Sequence, residues 1–84
     1  MKTGFYMTKV IWYDGKDAYV SPFILRADGD HITEESRKLL DDYMIGNGEI
    51  LKIELVIPID LDGIVALKGT KNEIAYNRFK EMYF

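Results

Sequence analysis

Ile50-Leu51-Lys52-Ile53-Glu54-Leu55-Val56-Ile57-Pro58-Ile59-Asp60-Leu61-Asp62-Gly63-Ile64-Val65-Ala66-Leu67-Lys68-Gly69 is the stretch whose reading decides the fold. Every odd position from Leu51 to Ile59 is a large aliphatic, and Lys52, Glu54, Val56, Pro58 and Asp60 fill the even ones. Alternation with a period of two predicts a strand with one buried face. Asp60-Leu61-Asp62-Gly63 has turn chemistry, because aspartate bonds to nearby backbone and Gly63 tolerates positive φ. Ile64 to Lys68 then predicts a second strand, apolar on both faces and therefore inside the sheet. This hairpin is the expected core.

Working outward, Phe5 to Tyr13 is aromatic and β-branched, which predicts a strand. Asp14-Gly15 is a strong hairpin signal, and Ala18 to Leu25 is the return strand. Pro22 lacks a ladder donor, so it belongs at an edge or a bulge. A four-residue loop, Asp14 to Asp17, sets Trp12 opposite Tyr19 and Tyr13 opposite Ala18. A two-residue loop sets Tyr13 opposite Lys16, and the sequence leaves both registers open.

Arg26 to Asp30 is a polar loop. Thr33 is a good N-cap, with Glu34 and Glu35 in a first turn whose dipole favours acids. That helix runs to about Ile45, where Gly46-Asn47-Gly48 stops it. Leu39, Leu40, Tyr43 and Met44 form its apolar face, opposite Glu34, Glu35, Lys38, Asp41 and Asp42. Thr70-Lys71-Asn72-Glu73 is a capping-box pattern opening a last helix, with Ala75, Phe79 and Met82 as inner stripe. The expectation is one α+β domain over residues 1–84. Its order is ββαββα, a four-stranded, mostly antiparallel sheet with both helices on one face. The convincing pattern begins after Met7, which makes Met7 as well as Met1 a candidate start.

The composition, 48% hydrophobic and 30% charged, is that of an ordinary globular protein. There is no cysteine, which removes disulfides, thiolate zinc sites and cysteine nucleophiles and makes a cytoplasmic address the default. No apolar run is long enough for a membrane span, and Thr8 and Lys9 break any signal-peptide core. The net charge of −3 and pI of about 5.0 argue against direct nucleic-acid binding. The charge is uneven: Asp28 to Glu49 holds seven acids and two bases.

Motifs for catalysis and for cofactors are missing. His31 is the single histidine, and Ser21 and Ser36 lie in contexts that do not suggest a triad. Asp28-Gly29-Asp30 resembles the middle of a calcium loop, but that register puts Arg26 and Arg37 at ligand positions and His31 at the required glycine. The expectation is a chain that is not an enzyme and carries no metal or cofactor.

Two features rise above this background. Asp41 and Asp42 sit at the helix end where the dipole disfavours acids, with Lys38 placed to offset them. Trp12, Tyr13 and Tyr19 gather around one hairpin, and aromatics are frequent interface anchors. These two features, with Glu34 and Glu35, predict a protein-interaction module that meets a basic partner surface. A concrete form is an acidic inhibitor or modulator of a nucleic-acid-handling protein. A small-ligand or nucleotide-binding domain is the alternative. The open sheet face or an edge strand would also allow a homo-oligomer.

Overall fold

The computed structural model describes residues 3–84. Strands β1 (Thr3–Tyr13) and β2 (Ala18–Asp28) form a long antiparallel hairpin. The Asp14 carboxylate closes its loop by accepting from the backbone N–H groups of Lys16 (2.8 Å) and Asp17 (2.7 Å). Gly15 supplies a φ of +98° there, a backbone region that glycine reaches without steric cost. The longer loop is therefore the one adopted: Trp12 faces Tyr19, and Tyr13 faces Ala18. Met7 lies within β1, which begins at Thr3.

The two-residue turn Gly29-Asp30 leads from β2 to the short strand β3 (His31–Ile32). Helix α1 (Glu34–Met44) follows, with Thr33 capping the N–H of Ser36. Strand β4 (Glu49–Pro58), helix α2 (Leu61–Ala66) and helix α3 (Glu73–Tyr83) complete the chain. The sheet order is β3-β2-β1-β4, with every pairing antiparallel. The α+β class and the four-stranded antiparallel sheet are as expected.

The segment expected as a strand, Ile64 to Lys68, instead ends helix α2 at Ala66 and continues into a turn at Leu67 and Lys68, and β3 is the fourth strand. Asp60 acts as an N-cap, its carboxylate accepting from the N–H of Gly63 at 2.8 Å. Ile64 is buried and Leu67 half-buried while Val65 and Ala66 are exposed, an i, i+3 pattern that only a helix produces. A short apolar run does not distinguish these states by composition. The Thr70 hydroxyl bonds to Leu67 C=O and Asn72 N–H, so the capping box is absent and α3 starts at Glu73.

Alternation sorts the core into two clusters. Val10, Phe23 and Leu25 share one sheet face with Leu40 and Met44 of α1. Ile24, on the opposite face, packs with Ile64 of α2 and with Ala75 and Phe79 of α3. The helices therefore do not share one face. Helix α3 runs beside the edge of β2 and touches both clusters, Phe79 joining the second and Met82 the first.

Strand β4 departs from strict alternation. Its register against β1 slips at two places, leaving Leu51 and Val56 as extra residues, each a β-bulge. Each bulge reverses the faces that follow it. Ile50, not Leu51, therefore joins the α1 cluster with Ile53, while Leu51, Val56 and Ile57 are exposed.

Both prolines lie where a missing N–H is harmless. The outward backbone of β2 is taken up by side chains and a loop: Arg78 donates to Pro22 C=O, Ser36 accepts from Arg26 N–H, and Thr33 N–H reaches Arg26 C=O. On β1, Phe5 C=O accepts from Ile59 N–H, so the odd residues of β1 turn their backbone to β4. Pro58 pairs with the even residue Tyr6 and so points its nitrogen away from β1, toward the free edge.

Candidate interaction surface

Trp12 is positioned from three sides. Its indole N–H donates to Ser21 Oγ at 3.0 Å. Its ring stacks on Tyr19, with centroids 4.7 Å apart and planes 27° from parallel. Behind it, Gly48 approaches so closely that an added Cβ would lie 2.9 Å from the indole and 2.4 Å from Tyr13 C=O. Glycine is needed here for space. The fixed ring is half-buried and packs against the α1 cluster, whereas Tyr19 is 41% exposed.

Below this stack lies a cleft of about 290 Å³, lined by Trp12, Ser21, Tyr43, Met44, Asn47 and Arg78. The Arg78 guanidinium sits over the Phe23 ring, 4.7 Å from its centroid, and donates to Pro22 C=O. Tyr43 donates to Glu81 at 2.9 Å. Burial first, and the Glu81 carboxylate second, raise the Tyr43 phenol above its ordinary value.

The fold brings the C-terminal end of α1 next to the Trp12–Tyr19 stack, because Met44 and Asn47 line the same cleft as Trp12. Asp41 and Asp42 are exposed in the last turns of that helix, which has no basic residue in its last turn. Arg37, rather than Lys38, pairs with Asp41 at 3.0 Å. Asp42 has no ion pair among the described residues. Glu34 and Glu35 are exposed at the other end of α1. Tyr13 is 39% exposed and belongs to the opposite sheet face from Trp12 and Tyr19. Of the seven residues singled out in the sequence, Trp12 and Tyr19 stack on each other, while Asp41 and Asp42 lie on the helix whose C-terminal end borders the Trp12 cleft, without lining it themselves.

Ser36 emerges with a role its sequence context did not suggest. It is fully buried, accepts from Arg26 N–H and meets the Tyr83 hydroxyl. The available signal was its place on the apolar stripe of α1, one turn before Leu40. His31 is exposed at the β2–β3 turn, 3.3 Å from the Asp30 carboxylate. Among the described residues, no group of three or more His, Asp or Glu is placed to hold a metal ion, and no helix is long and apolar enough to cross a membrane.

No known family model, curated protein or solved structure matches the chain.

Proposed function

We propose that the chain is a non-enzymatic protein-interaction module, presenting the acidic end of α1 and the adjacent Trp12–Tyr19 stack to a basic protein surface. The observation that supports this most is the shared cleft, which sets Met44 and Asn47 beside Trp12. Charge would steer the approach, and burial of the aromatic pair would hold the complex. An inhibitor or modulator of a nucleic-acid-handling protein is the concrete version, since such proteins carry basic surfaces. A cytoplasmic location belongs to the same proposal, on the absence of cysteine.

The test compares wild type with the Asp41→Lys/Asp42→Lys variant in association kinetics against a captured basic partner. The variant should associate more slowly at low salt. The difference should shrink near physiological ionic strength, where the Debye length is about 8 Å. Equal association rates at low salt would overturn the acidic-helix reading. Trp12→Ala should weaken binding by about 2 kcal/mol or more while the free chain stays folded.

A small-ligand reading has its own support in a second, larger cleft of about 850 Å³. Phe5, Arg26, Pro58 and Ile59 line it, and the Arg26 guanidinium lies 4.7 Å from the Phe5 ring centroid. Apolar walls with a few polar groups suit a small molecule. A thermal-shift screen of nucleotides and organic anions tests it, and Arg26→Ala should abolish any shift.

A further inference from the structure

We propose that β4 is a dimerisation edge: two copies pair antiparallel about a two-fold axis at Ile53, with Lys52 of each copy opposite Glu54 of the other. Among the described residues, strand β4 ends the sheet order, with no strand beyond it. Lys52 and Glu54 pair with the odd residues Ile11 and Lys9, so their backbone groups face β1. Ile53 and Leu55 therefore turn theirs outward, ready to accept another strand. Between the bulges at Leu51 and Val56, residues Lys52 to Leu55 form a regular segment.

Charge selects both the occupant and the register. In a two-fold antiparallel pair, residues equidistant from the axis oppose each other. An axis through Lys52 or Glu54 would set a charge against its own copy, which is unfavourable. An axis through Ile53 sets Lys52 against Glu54 twice. These side chains share one face of the sheet, 3.3 Å apart and 66% and 43% exposed. Pairing would turn two separate ion pairs into a ring of four charges of alternating sign. Leu51 and Val56, 53% and 50% exposed, flank the segment with apolar surface. The regular segment is short, so the dimer is reversible and salt-sensitive.

Sedimentation of the full chain at low ionic strength tests the proposal. Wild type should show a concentration-dependent monomer–dimer equilibrium. Lys52→Glu and Glu54→Lys should each weaken it by roughly fivefold or more, because each reversal alters both symmetric pairs. The double variant Lys52→Glu/Glu54→Lys should recover wild-type affinity to within about twofold. Amide exchange at Ile53 should slow as wild-type concentration rises, and melting at dilute concentration checks that each variant is folded. The proposal is overturned by a wild type monomeric up to about 1 mM, by single reversals that leave the dimer intact, or by a double variant no better than its parents.

Discussion

The hydroxyls of Ser36 and Tyr83 share a hydrogen bond beside the backbone N–H of Arg26. One contact thereby links α1, α3 and the edge of β2. Arg26 N–H is 2.9 Å from Ser36 Oγ and 3.4 Å from the Tyr83 oxygen, so it depends mainly on the serine.

Ser36→Ala should cost about 1–3 kcal/mol, because it strips the main partner from a part-buried donor. Tyr83→Phe should cost less, since Ser36 still satisfies Arg26. Denaturant unfolding of both single variants and the double should reveal coupling of about 0.5 kcal/mol or more. Strictly additive losses would show that the two hydroxyls act independently.

Leu40 is fully buried in the α1 cluster, and Leu51 stands exposed at a bulge. Leu40→Ala should therefore destabilise by about 2–5 kcal/mol. Leu51→Ala should stay within about 0.5 kcal/mol of wild type. Strict alternation along β4 makes the opposite forecast for Leu51, so similar melting of the two variants would restore that pattern and remove the bulge.

Gly48→Ala should be destabilising out of proportion to its size, because the new methyl meets the backbone carbonyl of Tyr13, which has little room to move. A loss of about 1–3 kcal/mol is expected for such overpacking. Trp12 fluorescence should shift with it, since the indole is the second neighbour. Gly4→Ala, with nothing nearby, is the control.

The Asp14 turn should leave a signature in acid. The N–H groups of Asp17 and then Lys16 hold the Asp14 carboxyl below its ordinary value. A depressed folded value contributes stability above the ordinary carboxylate range, and the contribution is lost as pH falls through the lowered value. The melting-temperature gap between wild type and Asp14→Ala should accordingly be widest near neutral pH and narrow in acid. Tyr19 titrates above its ordinary value because it interacts with the same carboxylate, so Asp14→Ala should lower the Tyr19 value toward that of a free phenol.

Local chemistry was legible in the sequence wherever one residue dictates its own neighbourhood. The Asp14-Gly15 turn, the Thr33 cap, the Gly46 stop and the Leu40–Met44 stripe follow from side-chain geometry within a few residues. Pro22 announced an edge because a missing donor excludes a central ladder. What the tertiary structure decided lies in contacts between distant segments. The bulges at Leu51 and Val56 reflect how β4 fits against β1, and they undo a pattern that read as strict alternation. Ile64 to Leu67 is apolar enough for strand or helix, and burial of Ile64 against Ile24 and Phe79 is available only to the helix capped by Asp60. Ser36 became a buried anchor only when Tyr83 arrived from the far end of the chain. The acidic residues and the aromatics could be named from sequence. That the end of α1 meets Trp12 at one cleft could not, because the distance between two surfaces depends on packing angles that no local pattern encodes.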